Sequence, residues 1–357
     1  MRTDNKTLYV ITDDRERYIF ILWSLITLIA SLIGDGIILV ATTRYNAIKL
    51  QKVIIAAMQH MAICDLLLNA FKVFPITLAF ITDRWVVGEL LCEVSENMSW
   101  VCAEVTVFQT STLTSLKLII LKTPLKSRVW SSRFGHKIFT LVWLLAVVVY
   151  SPVLFVKIIY LRDAVYFSYY DYNCSYSYSS PNLPSWYKWY FLIIFPAVYA
   201  LSFVALLATS ICILVVAKKA SSQHGRTLRW EGVITVLLTV GILLLSTLPF
   251  GVAFLTSLLG VKHGAGVRRS VLLVQYLNTM ANFFVYSITV KSFRKFLKLY
   301  VSKLMLIIST QRTQVTPERA TPPQMKITTQ GLGVGSASSD PTVELTELHT
   351  KYKTRNT

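Results

Sequence analysis

The sequence predicts an all-α protein, a seven-transmembrane helix bundle with an amphipathic cytoplasmic helix after the last span. Three observations carry this expectation. Hydrophobic residues make up 54% of the chain and charged residues only 15%, against about a quarter charged in soluble domains. The apolar residues gather into runs of ~20 or more, enough to cross ~30 Å of hydrocarbon as helix. Basic residues, finally, alternate from loop to loop along the chain.

The runs cover residues 19–43, 53–81, 92–121, 138–158, 187–217, 232–260 and 270–290. Lipid offers the backbone no hydrogen-bond partner, so each run must pair its own N–H and C=O groups as helix. The short segments of alternating polarity that build a transmembrane barrel are missing. An odd number of spans without internal duplication also differs from the repeats common in transporters.

The net charge of +18 invites a nucleic-acid partner, but its placement excludes one. The loops after spans one, three and five carry Arg44, Lys49 and Lys52; Lys117, Lys122, Lys126, Arg128, Arg133 and Lys137; and Lys218, Lys219, Arg226 and Arg229. With the tail bases from Lys291 to Arg355 they hold 24 of the 36 basic residues. This positive-inside asymmetry puts the amino terminus outside and the carboxyl tail in the cytoplasm, as in a multi-pass plasma-membrane protein.

Four parts follow: an outer tail (1–18), the membrane domain (19–290), a juxtamembrane helix (291–308) and a cytoplasmic tail (309–357). Residues 1–17 lack the apolar core of a cleavable signal, so the first span is read as an uncleaved anchor. Phe293, Phe296, Leu297, Tyr300 and Leu304 share one helical face, with Lys291, Arg294, Lys295 and Lys298 available for anionic headgroups of membrane lipids. From Ser309 the chain is rich in Thr, Ser, Pro, Gly and Gln without apolar period, a composition of disorder. Asn5 heads a glycosylation sequon on the outer side. Cys92 and Cys174 both fall on the oxidising outer face, where they can pair. Cys64, Cys102 and Cys212 lie within spans as small apolar side chains.

Motifs dispersed through the spans resemble the rhodopsin family of G-protein-coupled receptors, over roughly residues 19–300. Gly34-Asp35 stands at the family's Gly-Asn, and Met61-Ala62-Ile63-Cys64-Asp65 resembles its second-helix signature. Trp85-Val86-Val87-Gly88 followed by Cys92 matches the first outer loop and the family's disulfide cysteine. Trp143, Pro152 and Pro196 sit where the fourth and fifth helices carry theirs. Ser246-Thr247-Leu248-Pro249 takes the place of Cys-Trp-x-Pro. Asn278 to Tyr286 is similar to the Asn-Pro-x-x-Tyr region, with Phe293-Arg294 beyond. The resemblance implies an extracellular ligand, a heterotrimeric G protein and an arrestin as partners, the last drawn to phosphorylated Thr and Ser residues of the tail.

Departures accompany the likeness. The family's Asp-Arg-Tyr reads Leu116-Lys117-Leu118. A Lys ammonium does not reproduce the planar, multi-donor guanidinium, and Leu116 removes the neighbouring carboxylate. The toggle Trp is Thr247. The seventh-helix Pro is Phe283, so that helix keeps a hydrogen bond and is expected to run straight.

By resemblance, Asp35, Asp65, Thr106, Asn278 and Asn282 converge on a mid-membrane sodium pocket, sodium being the one cofactor implied. Two acids facing one pocket must share a proton or a cation; a proton-sharing structural pair is the alternative. Glu96, Ser99, Glu104, Thr247 and Tyr276 line the implied ligand cavity. Ser99 stands where amine receptors carry their acid, which argues against a biogenic amine, and Tyr276 stands where opsins carry the retinal lysine. Glu96 reads as a solvated helix-top charge or as a partner for a cationic ligand, while Lys72 and Glu104 could pair or line the cavity. The aromatic second outer loop reads as a ligand lid over Tyr166–Tyr178 and as an interfacial belt over Trp186–Tyr190. Transducer contact is expected at Lys117, Lys122, Lys126, Lys218, Lys219, Arg226 and Arg229. Metal-ligand clusters, phosphate loops and nucleophile motifs are missing, so no enzyme is expected. The function expected is that of a ligand-activated receptor. A decoy that binds without coupling, and a transporter using Asp35, Asp65 and Glu104, are the alternatives.

Overall fold

The computed structural model describes residues 14–44, 51–123, 130–160, 165–168, 173–176, 184–224, 230–258, 261 and 263–314. Asn5, Lys126, Arg226, Arg229 and the tail beyond 314 lie outside the described residues, as do the side chains of Cys174 and of the expected lid. The chain divides into a bundle unit, Met1–Met305, and a second unit, Leu306–Thr357, described as far as Gln314.

Among the described residues, seven helical spans form the bundle. The first is Asp14–Arg44. The second joins Lys52–Leu68, a π-helical turn at Asn69–Val73 and Phe74–Thr82. The third is Gly88–Lys122 and the fourth Ser132–Tyr160. The fifth starts as Ser185–Trp189, widens into a second π-helical turn at Tyr190–Ile194, and continues as Phe195–His224. The sixth is Trp230–Leu258 and the seventh Ala265–Thr289. Lys291–Gln314 then forms a separate helix, whose Phe293 and Phe296 pack with Ile38, Met58 and Tyr286 of the bundle. Between spans four and five, β1 (Val165–Ser168) and β2 (Asn173–Tyr176) make a short antiparallel hairpin in which Phe167 faces Cys174.

Six of these spans are long and apolar enough by composition to cross a membrane. Each of these six carries exposed large apolar residues, as on the first helix, where Leu22, Ile26, Ile29 and Ile33 are exposed at helical spacing. The third helix is the exception, because Glu89, Glu93, Glu96, Glu104, Lys117 and Lys122 lower its hydropathy. Its placement explains the composition. It packs against spans two, four, five and six, and Glu104 to Thr110 are all buried, nearly two full turns at 3.6 residues each. A helix covered all round has little need of a lipid-compatible face.

Two close approaches set the helix spacing. A Cβ on Gly34 would lie 2.6 Å from the Phe283 Cβ, and one on Gly135 would lie 2.9 Å from the Ala56 Cβ. Phe283, in place of a proline, therefore rests on the flat of Gly34, and the seventh helix runs unbroken from Ala265 to Thr289. The outer end is tied by Arg17, which caps the second span by donating to the Phe80 and Ile81 carbonyls at 2.9 Å each. Arg269 pairs with Glu16 at 3.5 Å.

Candidate functional site

A ladder of buried polar groups runs through this apolar bundle, and each rung is built where helix geometry turns small or charged residues inward. The outer rung joins spans two and three. The π-helical turn buries Lys72, and its ammonium reaches the Glu96 carboxylate at 3.0 Å. The other Glu96 oxygen accepts the Trp100 indole N–H at 2.9 Å, one turn along. Glu96 is 7% exposed, so it is a buried ion-pair partner and not a solvated helix-top charge: the neighbouring span supplies the cation that makes burial affordable. Lys72 is thereby committed to Glu96 and not to Glu104. Tyr276 lies within electrostatic reach of Glu96, is buried, and its hydroxyl has no hydrogen-bond partner among the described residues.

The middle rung joins spans one, two and seven. Ser31 donates to Asp35 at 2.6 Å and lies 3.0 Å from the Thr279 carbonyl. Asn69 donates to the Ser31 hydroxyl at 2.5 Å and to the Asp65 carbonyl at 2.8 Å. Asn282 donates to the Asp65 carboxylate at 2.7 Å. The two acids lie within electrostatic reach of each other. One oxygen of Asp35 and the amide oxygen of Asn69 are buried without a hydrogen-bond partner among the described residues. The rung thus offers spare oxygen donors beside two acids, the ligand type that hard cations take. Thr106 donates to the Cys102 carbonyl at 2.9 Å and meets the Cys64 thiol at 3.6 Å, while Asn278 is half-buried and joins none of these bonds.

Deeper on the third helix, Glu104 is 1% exposed and neither carboxyl oxygen has a hydrogen-bond partner among the described residues. Ser99 is half-buried above it, and Thr247 is buried beside Ser246 on the sixth helix. The inner rung joins spans six and seven: Thr235 donates to the Thr289 hydroxyl at 2.8 Å, which donates in turn to the Val285 carbonyl at 2.7 Å. Leu116 is buried among Val53, Ala57, Met61, Leu113 and Phe139. Lys117 makes no ion pair among the described residues, and Lys122, Lys218 and Lys219 are exposed.

On the outer side Cys92 is disulfide-bonded, while Cys64, Cys102 and Cys212 are free thiols. The backbone of β2, which includes Cys174, packs against the third helix. Trp85, which donates to the Gly88 carbonyl at 2.7 Å, and Cys92 share an apolar cluster with Phe20 and Phe80.

The family profile described as seven-transmembrane receptor (rhodopsin family) matches residues 35–289, most of the chain. The chain belongs to the rhodopsin family of seven-transmembrane receptors. It is a multi-pass membrane receptor, and no curated protein sequence matches it significantly. The receptor's ladder includes residues that sequence reasoning did not single out. Ser31 precedes Asp35 by four residues and Asn69 follows Asp65 by four, so a search for polar neighbours one turn from each acid would have found both. Thr235 and Thr289 carry no such signal, because each is one hydroxyl among many on apolar helices.

Proposed function

We propose that the receptor sits in the plasma membrane with its amino terminus outside, takes an extracellular ligand in its outer cavity, and passes that event to a heterotrimeric G protein. The carrying observation is the polar ladder, whose rungs at Lys72–Glu96, Asp35–Asp65–Asn282 and Thr235–Thr289 each bridge different spans. Polar groups inside a membrane bundle are costly, and such a series is the expected substrate of a transition that re-pairs them. A ligand between spans three, five, six and seven favours an arrangement with the inner ends of spans five and six splayed. The exposed Lys122, Lys218 and Lys219 then meet the transducer, together with Lys117 and with Lys126, Arg226 and Arg229 of the inner loops. A sodium ion in the middle rung would be held by Asp35, Asp65 and the Asn69 amide oxygen, and would supply the positive charge that lets both acids stay ionised.

The test is recruitment of miniature G proteins in cells across peptide, lipid and small-molecule libraries, with arrestin recruitment read in parallel. Ligand-dependent G-protein recruitment is the expected result. A second reading, a decoy that binds without G-protein coupling, is favoured by the burial of Leu116 among apolar residues and by a Lys117 without an acid beside it. Ligand uptake with no G-protein recruitment, and no change on Lys117→Arg, would establish that reading instead.

A further inference from the structure

Lys72, Glu96 and Glu104 are buried where spans two and three meet the bundle interior, and two of them cancel. Lys72 and Glu96 meet at 3.0 Å, and the second Glu96 oxygen is engaged by Trp100. Glu104 is left. It is the most deeply buried acid of the third helix, and neither of its oxygens has a hydrogen-bond partner among the described residues. An uncompensated carboxyl inside a membrane protein is costly, and span two supplies a lysine for Glu96 while no ion pair of Glu104 occurs among the described residues.

The surroundings favour a cation. Glu104 lies within electrostatic reach of Tyr190 and Tyr199 of the fifth span. Trp100, one turn before it on the third helix, packs on an apolar cluster with Tyr150, Val153, Tyr187 and Tyr190. Val107, three residues after it, belongs to a second cluster with Leu206, Leu243 and Tyr199. Glu104 thus stands on the third helix between residues that contribute to two apolar clusters. The Tyr190 hydroxyl is donated to the Val149 carbonyl, so it does not serve Glu104. The π-helical turn Tyr190–Ile194 stands alongside, and such turns frequently mark functional sites. Aromatic rings around an acid suit an ammonium or guanidinium, which ring faces also attract. Glu104 lies about 7.5 Å deeper than Ser99 and on another face of the helix, so it is not the acid position of amine receptors shifted by a rotamer.

We propose that Glu104 is the charge-reading group of the ligand cavity, and that the ligand carries a compact cation, an ammonium or guanidinium, on an apolar or aromatic stem. This rests on the ligand-binding reading above. The test uses full-length receptor in lipid nanodiscs, with phenylpropylammonium as probe and phenylpropanol and phenylpropionate as neutral and anionic counterparts. The ammonium should raise the thermal unfolding midpoint of the wild type in a saturable titration, and the other two should not. In Glu104→Gln the titration midpoint should move to at least about tenfold higher probe, the loss of ~1.4 kcal/mol of binding. An unchanged midpoint, or equal effects of ammonium and alcohol, overturns the proposal.

Should the variant fail to fold, the wild type decides. Labelling of the Glu104 peptide by a hydrophobic carbodiimide, mapped by mass spectrometry, should be slowed by the ammonium and not by the alcohol; equal labelling overturns the idea. Neither readout involves a G protein, so Glu104-dependent binding without recruitment sinks the coupling reading alone. Recruitment by a ligand whose potency is untouched by Glu104→Gln sinks this proposal alone.

Discussion

Removing Lys72 should cost far more than removing the whole ion pair of which it is half. The Lys72 and Glu96 side chains are 2% and 10% exposed, and their charged atoms lie 3.0 Å apart. Lys72→Met leaves the Glu96 carboxylate buried without its cation, a change that costs about 3–5 kcal/mol in buried pairs. Glu96→Met leaves a buried ammonium without its carboxylate and should cost a similar amount or somewhat less. The double variant Lys72→Met/Glu96→Met removes both charges and keeps the volume. Replacing a buried pair by apolar side chains is often neutral or stabilising, so the double variant should lie within about 1–2 kcal/mol of wild type, the small loss including the orphaned Trp100 N–H. A coupling of ~3 kcal/mol or more follows from the cycle. The assay is thermal unfolding in detergent micelles, followed by reaction of the free thiols Cys64 and Cys102 with a maleimide dye, since both are buried in the fold. If the double variant loses the sum of the single losses, the two charges do not compensate each other and the outer rung is not an ion pair in the membrane.

Gly34→Ala should destabilise by about 1–3 kcal/mol, because its methyl would meet Phe283 at 2.6 Å; Gly34→Ala combined with Phe283→Ala should regain part of the loss in the same unfolding assay. Thr235→Val removes the donor to Thr289 at equal shape, and at about 0.6 kcal/mol for a hydrogen bond between membrane helices it should raise basal miniature-G-protein recruitment roughly threefold at matched surface expression. Cys92→Ala breaks a disulfide that stabilises by about 2–4 kcal/mol, so surface expression measured by flow cytometry should fall sharply. Lys117→Arg should raise second-messenger output, since a five-donor planar fork replaces a point ammonium, and Lys117→Ala should abolish it.

Much of the bundle was legible in the chain because lipid imposes one rule on every span. Runs of apolar residues gave the spans, and the helices extend past most of them by a few residues where polar ends reach the interface. The third span reads at 92–121 as one more apolar run, yet its helix is the one too polar to qualify by composition, since that composition answers to protein neighbours. Within the site, the nearness of Asp35, Asp65 and Asn282 followed from motif positions. The partner of Lys72 did not. Lys72 falls in a π-helical turn, which adds a residue to the turn and rotates everything beyond it, and no apolar period announces such a turn. From its place at the helix top Glu96 reads as a solvated charge or as a partner for a cationic ligand, whereas Lys72 of the rotated second span pairs with it. The Gly34–Phe283 contact was hidden for a related reason: each departure was visible, but their complementarity needs both helices in place.

The polarity of the third helix bears on how the protein enters the membrane at all. A glutamate or lysine at the centre of an inserting helix adds about 2.5–3.5 kcal/mol to its insertion free energy, and this helix carries Glu96, Glu104 and Lys117. Offered alone to the translocation machinery, it is a poor candidate for partition into lipid. The second span, which precedes it by a turn of only a few residues, carries its own intramembrane charge at Lys72, and the two charges neutralise each other once the segments lie side by side. That pairing predicts that spans two and three cross together as a helical hairpin, since each half carries a charge that the other neutralises. Glycosylation mapping of nascent chains should show the third segment inserting when the second accompanies it and stalling when Lys72 is replaced by Met; insertion indifferent to Lys72 would separate the folded ion pair from membrane entry.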